Sequence, residues 1–479
     1  MSRQALVIGF RVTGQAAARS LLKDGFAVSA VDDGEPLADA TKLAASLGTE
    51  LVWRPSRALL SSLAQRAEMV VLSPGIPPSH PIFEVADAGK IVSEVELAAS
   101  LATVPVLAIT GTNGKTTVTS LVTEIMRAAG REAEAVGNIG RPFIEAVHEP
   151  TADTYVLEVS SFQLAWTKTF HPTVACWLNL AEDHLDWHAG MGDYAAAKAR
   201  VWENQDQSDV AVANADDPVV MHWAETAPGR LVTFGAAGDV TERGGVISSP
   251  EGEICTVSSL PRALPHDVWN ACAAAAVALG AGADPQSCAA ALQRGVPMPH
   301  RIELVAEVGG VRYYDDSKAT TPTAVLAAMQ GFASVVLIAG GRNKGLHLAS
   351  MVRGLESEAA AGTGPGPARL RGVIAIGEAA GEVAEAFRHL EEVPTEIATS
   401  MSEAVARASA LAGPGDAVLL SPGCASFDWY RSYGERGDDF ARVVRRQVDS
   451  GKSDAAPPGL AAKQGDEQRP VAVKRGGTP

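Results

Sequence analysis

The chain has 479 residues, of which 46% are hydrophobic and 20% charged, and its 40 basic and 56 acidic residues give a net charge of −16. This length suggests about three domains, and this composition predicts a folded globular protein. The acidic balance argues against nucleic acid or an anionic membrane as the main partner. Local basic groups must therefore meet any anionic substrate.

The cysteine pattern bears on the cellular setting. The five cysteines are widely spaced and form no C-x-x-C pair, which favours a reduced, cytoplasmic setting over a disulfide framework or a zinc site. The first residues carry no signal-peptide pattern, and no apolar run is long enough to span a bilayer. We therefore expect a cytoplasmic protein without membrane insertion.

The first hundred residues alternate between apolar strands and helices. QALVIGF, FAVSAVDD and EMVVLSPGI are predicted strands, which favours a doubly wound parallel sheet with a ligand crevice at the strand carboxyl ends. Asp32 and Asp33 end the second strand, where acids often meet a ribose or a base, although a solvated turn would look the same. GFRVTG matches G-x-G-x-x-G poorly, so the indication of a dinucleotide site is weak.

A second unit opens with VPVLAITGTNGKTTVTSLVTEI, which reads as a strand, a glycine turn and the start of a helix. Backbone N–H groups at a helix N-terminus attract anions, and Gly111 and Gly114 let the main chain approach a phosphate closely. Lys115 can reach terminal phosphate oxygens, and the Thr116 hydroxyl can ligate Mg²⁺. The two glycines stand closer together than in G-x-x-x-x-G-K-[ST]. The order of strand, glycines, lysine and threonine still favours a nucleoside triphosphate site over a plain glycine-rich turn.

Further groups in this unit suit magnesium. Glu158 ends an apolar strand and can ligate the ion that bridges the phosphates, although it could instead cap a neighbouring helix. NLAEDHLDWH contains His184 and His188, but the glutamate of H-E-x-x-H is missing and no cysteine is near, which disfavours a zinc protease. One histidine is a candidate magnesium ligand, and an ordinary polar loop is the alternative. Lys198 lies among alanines of a predicted helix, where a surface lysine would look the same.

PMPHRIELV leads into a third unit, in which strands again alternate with helices. Lys318 and Lys344 each follow a strand, and such a pair suits a substrate with several carboxylates, although either could be a surface charge. LLSPGCASFDWYRSYGERGDDF favours a loop around a small polar ligand, although aromatics packed on a helix would look similar. After about Asp449 the sequence holds few large apolar residues, which predicts a disordered tail.

Taken together, these motifs resemble the Mur ligase family. GTNGKTT, LEVSSFQL, NLAEDHLDWH, AAKARVWEN, PHRIE, DDSKAT and LLSPGCASFD occur in the order typical of that family, and the short phosphate loop is shared with folylpolyglutamate synthetases. The resemblance runs from about Gln4 to Val448 and implies an α/β fold of three domains. It implies a Rossmann-like UDP-sugar-binding domain at 1–93, a central P-loop ATPase domain with a mostly parallel sheet at 94–299, a Rossmann-like amino-acid-binding domain at 300–449, and the tail at 450–479.

The resemblance also implies ligands and contact residues. The last two motifs are most similar to the members that use D-glutamate, so the expected ligands are ATP, two Mg²⁺ ions, UDP-N-acetylmuramoyl-L-alanine and D-glutamate, bound by a monomer. The expected ATP-binding residues are Gly111, Thr112, Asn113, Gly114, Lys115, Thr116, Thr117, Asn270, Arg301 and Asp316. The expected metal residues are Thr116, Glu158, His184 and Lys198, with Lys198 carbamylated. The expected catalytic residues are Lys115, Glu158, His184 and Lys198. The expected substrate-binding residues are Thr13, Asp32, Asp33, Asn138, Ser160, Lys318, Thr320, Lys344, Ser426 and Tyr433.

The sequence departs from the family pattern at a few positions. Asp267 stands where H-N-x-x-N has its first asparagine, Asp33 where a hydroxyl residue is frequent, and Tyr433 where phenylalanine is usual. GGRNKG lacks an acid that is common in that loop. These changes leave the residues expected to handle phosphate intact.

Three other functions compete with a D-glutamate ligase. A sister ligase would use another amino acid, which the CASFD loop argues against and a panel of amino acids would test. A nucleotide switch would release phosphate without dependence on an amino acid, and it leaves Lys318 and Lys344 without a role. A UDP-sugar dehydrogenase rests only on GFRVTG, and absence of nicotinamide binding would exclude it.

Overall fold

The structure is a computed structural model that describes residues 3–185, 187–361, 369–390 and 392–453. Within these ranges it has two sheets of purely parallel strands, a third that is parallel except for one antiparallel edge strand, and a small antiparallel sheet. The predicted α/β fold is therefore confirmed. The predicted tail lies outside the described residues from residue 454 onward.

The N-terminal unit is a five-stranded parallel sheet in the order β3-β2-β1-β4-β5. Its strands are β1 (Gln4–Ile8), β2 (Ala27–Asp32), β3 (Glu50–Trp53), β4 (Met69–Leu72) and β5 (Ile91–Ser93). Its helices are α1 (Val12–Lys23), α2 (Ala38–Leu47), α3 (Arg57–Arg66), α4 (Ile82–Val85) and α5 (Glu94–Ala99), with a 3-10 turn at Ala88–Lys90. The strand order reverses at β1, and such a switch point opens a crevice at the carboxyl ends of the strands.

The central unit is a six-stranded parallel sheet in the order β11-β10-β9-β6-β8-β7. Its strands are β6 (Val106–Thr110), β7 (Ala133–Gly137), β8 (Thr154–Glu158), β9 (Val174–Trp177), β10 (Val210–Asn214) and β11 (Arg230–Phe234). Its helices are α6 (Lys115–Ala128), α7 (Phe143–His148), α8 (Ser161–Leu164), α9 (Met191–Ala199), α10 (Pro218–Ala224), α11 (Pro265–Gly280) and α12 (Pro285–Arg294). Every residue of β6, β8 and β9 is buried, since helices cover both faces of a parallel sheet.

An unanticipated small sheet interrupts this unit. It is antiparallel and consists of β12 (Thr241–Arg243), β13 (Val246–Ser249) and β14 (Gly252–Thr256), followed by a 3-10 turn at Val257–Ser259. Gly244 and Gly245 form the first turn with φ angles of 62° and 83°, a conformation that glycine adopts without steric cost.

The C-terminal unit is a six-stranded sheet in the order β15-β16-β20-β17-β18-β19. Its strands are β15 (Glu303–Val308), β16 (Val311–Asp315), β17 (Ser334–Gly340), β18 (Arg369–Ile376), β19 (Thr395–Ile397) and β20 (Ala417–Leu420). Its helices are α13 (Pro322–Met329), α14 (Ser350–Ala361), α15 (Ala380–Phe387), α16 (Met401–Leu411) and α17 (Tyr433–Ser453). The β15–β16 pair is antiparallel, and the remaining pairs are parallel.

Hydrogen bonds join the three units. Asn113 Nδ2 in the phosphate loop donates to Thr323 Oγ1 in α13 at 3.1 Å, and Trp187 Nε1 donates to the Ile76 carbonyl at 3.0 Å. These bonds join the C-terminal unit to the phosphate loop and the N-terminal unit to Trp187 of the central unit. Among the described residues, no helix is both long and apolar enough to cross a membrane.

Candidate active site

A cleft of about 490 Å³ lies between the central and C-terminal units. Its walls include the last residue of β8 and segments that follow β6, β9, β16 and β17, so that the carboxyl ends of two sheets face one space. The cleft brings together most of the predicted site residues: Thr112, Asn113, Gly114, Lys115, Thr116, Asn138, Glu158, His184, Asn270, Arg301, Asp316, Lys318, Thr320, Lys344 and Tyr433.

The phosphate loop has a backbone that requires glycine. Gly111 and Gly114 have φ angles of 154° and 85°, and a Cβ on Gly114 would lie 2.6 Å from Asn270 Oδ1. Asn179, which sequence reasoning missed, fixes the loop between them. Its Oδ1 accepts from Thr112 N at 3.1 Å and Asn113 N at 2.9 Å, and its Nδ2 donates to the Asn113 carbonyl at 3.1 Å. The loop is therefore held in shape by a side chain from the strand-end segment after β9.

Two lysines converge on the carbonyls of this loop. Lys115 Nζ donates to Gly111 O at 2.8 Å and Thr112 O at 2.9 Å, and Lys198 Nζ donates to Gly111 O at 2.7 Å. Burial lowers the pKa of Lys115 and lowers that of Lys198 well below its ordinary value. Lys198 is 1% exposed and lies over the Tyr194 ring, so the alternative of a surface lysine is wrong. It lies behind the phosphate loop, outside the cleft lining.

Glu158 presents a carboxylate oxygen suited to a cation. The side chain is 2% exposed, and Oε1 accepts from Asn138 Nδ2 at 2.9 Å, while Oε2 has no hydrogen-bond partner among the described residues. A buried carboxylate oxygen is costly without a compensating charge or donor. The next helix, α8, is capped by Ser160, whose Oγ accepts from Gln163 N at 3.3 Å, and not by Glu158. The residues present therefore fit a bound Mg²⁺ ion.

His184 and its neighbour Asp183 form a second polar pair in the cleft. His184 has a φ of 56°, and its Nε2 lies 3.2 Å from Asp183 Oδ2. Burial raises the pKa of Asp183, and the charges of Lys344, Lys115 and Lys198 oppose that rise. Sequence reasoning left Asp183 out of the site, although its place before His184 in a strand-end loop was a usable signal. His188 is instead buried, 2.9 Å from Ser161 Oγ.

One end of the cleft combines a ring surface with polar groups. Trp269 and His266 line it beside Asn270, on the first turns of α11. Arg301 lines it too, and its buried Nε has no hydrogen-bond partner among the described residues. Asp316 accepts from Ser421 Oγ at 2.8 Å, and burial raises the pKa of its carboxyl to about 7. A flat base and a ribose would meet rings, amides and a carboxyl here.

Two lysines of the C-terminal unit also line the cleft. Lys318 Nζ lies 5.7 Å from the centroid of the Tyr433 ring, and burial lowers the pKa of Lys318 to about 8. Thr320 and Lys344 line the cleft as well. Ser426 does not line it: its side chain is buried, and its carbonyl accepts from Tyr430 N.

The predicted N-terminal residues lie outside this cleft. Asp32 Oδ2 accepts from Phe10 N at 2.7 Å and its Oδ1 from Gly34 N at 2.8 Å, so this carboxylate shapes the loops after β1 and β2. Asp33 lies 2.8 Å from His80 Nε2, and Thr13 is in the first turn of α1. Ser160 and Thr117 are also outside the cleft, at the cap of α8 and on a buried face of α6.

Known proteins match all three units. Residues 3–93 match the Mur ligase MurD-like N-terminal domain, residues 109–278 the Mur ligase middle domain, and residues 300–424 the Mur ligase glutamate ligase domain. The chain belongs to the Mur ligase family. Both the resemblance inferred from the motifs and the three-domain fold are thereby confirmed.

Individual Mur ligases agree with this assignment. UDP-N-acetylmuramoylalanine–D-glutamate ligase of Frankia casuarinae is 41% identical over 456 residues, which cover 92% of this chain and 93% of the relative. The same ligase of Desulfosudis oleivorans is 40% identical, covering 93% of this chain and 96% of the relative. The fold is similar to that of MurF from Acinetobacter baumannii, with a TM-score of 0.58, 19% identity and coverage of 87% and 91%. It is also similar to that of the UDP-N-acetylmuramate-alanine ligase MurC from Thermotoga maritima, with a TM-score of 0.56, 17% identity and coverage of 95% and 100%.

Proposed function

We propose that this chain joins D-glutamate to UDP-N-acetylmuramoyl-L-alanine in an ATP-dependent step of peptidoglycan precursor synthesis. The observation that carries the proposal is the cleft itself, in which a phosphate loop with Lys115 faces Lys318 and Lys344 of the glutamate ligase domain. The relatives that match more than nine-tenths of the chain carry the name of this ligase.

We further propose that each domain binds a different substrate or part of a substrate. Residues 1–93 would bind the UDP-sugar through Thr13, Asp32 and Asp33, and residues 94–299 would bind ATP and the muramoyl group, the latter through Asn138. Residues 300–449 would bind D-glutamate and close over ATP, which Arg301 and Asp316 would contact. Support comes from the parallel sheets, whose carboxyl ends provide the loops in each unit. Because Asp32 already accepts two backbone N–H groups, its proposed contact with the nucleotide would use its remaining acceptor capacity.

The proposed reaction solves the problem that a carboxylate is a poor acyl donor. A carboxylate oxygen of the alanyl group of UDP-N-acetylmuramoyl-L-alanine attacks the γ-phosphorus of ATP. ADP leaves, and an acyl phosphate forms. The amine of D-glutamate then attacks the acyl carbon, loses its proton, and expels inorganic phosphate to leave an amide. Lys115, which the carbonyls of Gly111 and Thr112 hold at the phosphate loop, would neutralise charge on the transferring group. Closure of the cleft excludes water that would hydrolyse the acyl phosphate.

We propose that Thr116, Glu158 and His184 hold two Mg²⁺ ions, which when bound would neutralise charge on the phosphates. The unpartnered Oε2 of Glu158 supports this assignment. We also propose that Lys198 is carbamylated, because burial lowers the pKa of its amine well below the ordinary value and so favours the uncharged, nucleophilic form. Its nitrogen attacks the carbon of CO₂ and releases a proton, which leaves an anionic ligand. A carbamate signal from the protein in ¹³C-bicarbonate, lost in Lys198→Arg, tests this step.

The decisive experiment measures phosphate release from ATP with UDP-N-acetylmuramoyl-L-alanine and single amino acids. D-Glutamate should support turnover, whereas L-glutamate, glycine and L-lysine should not. Preference for another amino acid would indicate a sister ligase, and release that is independent of any amino acid would indicate a nucleotide switch. We propose that the enzyme works in the cytoplasm as a monomer, and light scattering on the purified protein tests the latter point.

A further inference from the structure

An arginine outside the cleft binds the linker that carries Arg301. This linker, residues 295–302, joins α12 of the central unit to β15 of the C-terminal unit. Arg262 lies before α11, and its Nη1 donates to the carbonyl oxygens of Arg301 at 2.6 Å and Ile302 at 3.3 Å. A side chain of the central unit therefore holds the main chain at the entrance of the C-terminal unit.

Asp267 holds the other edge of the same guanidinium. Its two carboxylate oxygens accept from Nε and Nη2 of Arg262, both at 2.7 Å, which is a bidentate charged pair. Asp267 Oδ2 also accepts from Leu264 N at 3.2 Å, which ties the pair to the first turn of α11. Asp267 is the residue at which this chain departs from H-N-x-x-N. An asparagine there could not offer two charged oxygens to the arginine.

The backbone on either side of Arg301 is strained. His300 and Ile302 have φ angles of 60° and 48°, and a β-branched residue in this region persists only where its surroundings over-determine it. On the C-terminal side, His300 N donates to Glu303 Oε2 at 3.1 Å, and the His300 carbonyl accepts from Lys318 N at 3.1 Å. From the central unit, the side chain of Arg262 donates to the carbonyl oxygens of Arg301 and Ile302, which come next in the chain.

We propose that Arg262 and Asp267 form a linker clamp that positions Arg301 for the adenine nucleotide. Arg301 lines the cleft with its Nε buried, so a shift of its main chain would displace its guanidinium. Release of the clamp lets the strained backbone relax and moves this group away from the nucleotide. The inference rests on the proposed ATP-dependent function. It assigns Arg262 and Asp267 a positioning role, since Arg262 does not line the cleft.

The test is calorimetric binding of Mg-ATP to the full-length protein and its variants. Arg262→Ala should raise the Kd for ATP about tenfold, the order expected for loss of charge-assisted hydrogen bonds. Asp267→Asn should raise it less, because the amide keeps one acceptor. If the clamp acts through Arg301, Arg262→Ala should raise the Kd no further in an Arg301→Ala background. Arg262→Lys, which keeps a charge but not the forked geometry, should also weaken binding and serves if the alanine variant fails to fold.

Arg407→Ala is the matched control. Arg407 bonds Glu403 and Glu396 and is 39% exposed against 31% for Arg262, but it lies on α16, away from the linker. This variant should lose stability without a change in the Kd for ATP. An unchanged Kd in Arg262→Ala, or in Arg262→Lys where the alanine variant does not fold, would overturn the clamp, as would additive effects of Arg262→Ala and Arg301→Ala. A wild-type protein that binds no ATP would overturn the proposed function, and the clamp's role with it.

Discussion

At the scale of single residues, burial shifts the pKa values of groups that face the cleft. Lys318 is placed among Arg301 and Lys115, and burial and these charges lower its pKa to about 8, with Glu158 opposing the shift. A lysine is charged below its pKa, so Lys318 carries its charge at neutral pH and loses it in mildly alkaline solution. Its value as a partner for a carboxylate therefore depends on pH near neutrality.

We predict that binding of a dicarboxylate weakens as the pH rises through about 8. Glutarate, which lacks the amine of glutamate, should inhibit less well above that pH. In Lys318→Arg this alkaline loss should disappear, because a guanidinium stays charged throughout. The measurement is the inhibition constant of glutarate against D-glutamate from pH 6.5 to 9.5 for both proteins, a range chosen about the pKa of about 8. An equal loss in both proteins would assign the titration to another group.

Single residues also differ in how far sequence reveals them. The position of Glu158 at the cleft could be predicted, because a carboxylate at the end of a buried strand lies at the edge of the sheet where ligands bind. Lys198 could not be distinguished from a surface lysine without the family resemblance. Its burial depends on packing against Tyr194 and on the carbonyl of Gly111, which is distant in the chain. Asp183 was given no role although its place before His184 was a usable signal. Its charged surroundings left no local pattern, since the three lysines that affect its pKa come from three different segments.

At the scale of elements, the phosphate loop depends on a side chain from another segment. The amide of Asn179 makes three hydrogen bonds to the backbone of residues 112 and 113. The strand, the loop and α6 could be predicted from periodicity and glycine spacing. A bond between residues more than sixty positions apart leaves no local pattern.

We predict that Asn179→Ala loosens the loop while the fold persists. Three neutral hydrogen bonds contribute about 0.5–1.5 kcal/mol each, so the KM for ATP should rise about tenfold or more. Steady-state rates against ATP and the melting temperature are the measurements. Asn204→Ala is the control, because Asn204 Nδ2 also bonds two backbone carbonyls of the central unit, at 3.0 and 3.1 Å, but lies away from the cleft. A similar KM in the two variants would contradict the role of Asn179.

Glu94, the first residue of α5, makes the stability of the protein depend on pH. Glu94 is 1% exposed and accepts from Ile144 N at 2.6 Å, and burial raises its pKa to about 7. Its folded pKa lies above the unfolded value, so the folded state binds the proton more tightly. The stability it contributes is thus complete below about pH 4.5 and is lost as the pH rises to about 7.

Glu94→Gln should remove this part of the pH dependence, since an amide keeps the acceptor for Ile144 N without a charge. At pH 8 the variant should be more stable than the wild type by on the order of 1–3 kcal/mol. Denaturant unfolding at pH 5 and pH 8 measures the difference. Glu96→Gln is the control: Glu96 accepts four hydrogen bonds from residues 168–170, so its amide variant should lose stability at both pH values. Parallel pH curves for wild type and Glu94→Gln would refute the assignment.

At the scale of the whole molecule, the cleft exists only because the domains meet. The parallel sheets could be predicted within each unit, since strand and helix patterns are local. The contact between Asn113 and Thr323 joins residues 210 positions apart, and the sequence carries no signal for such a bond. Lys344, from the C-terminal unit, influences the pKa of Asp183 in the central unit. The proposed D-glutamate site therefore needs groups from both units.

The position of Lys344 predicts how its replacement changes the KM for D-glutamate. D-Glutamate brings two carboxylates into a partly dehydrated cleft, and Lys344 lines the wall where one of them would lie. A charge-assisted hydrogen bond contributes roughly 1.5–3 kcal/mol, so Lys344→Met should raise the KM for D-glutamate by about tenfold to a hundredfold. The KM values for ATP and UDP-N-acetylmuramoyl-L-alanine should stay almost unchanged, because these substrates are assigned to other residues.

Arg342→Met provides the matched control for this measurement. Arg342 is two residues from Lys344 in the same loop, but its guanidinium pairs with Glu378 at 2.8 and 3.0 Å and does not line the cleft. Initial rates against D-glutamate for the wild type and the two variants should separate loss of a substrate contact from a general disturbance of the loop. If Lys344→Met keeps the wild-type KM, Lys344 is not a ligand of D-glutamate. If both variants raise it equally, the effect belongs to the loop and not to the ammonium group.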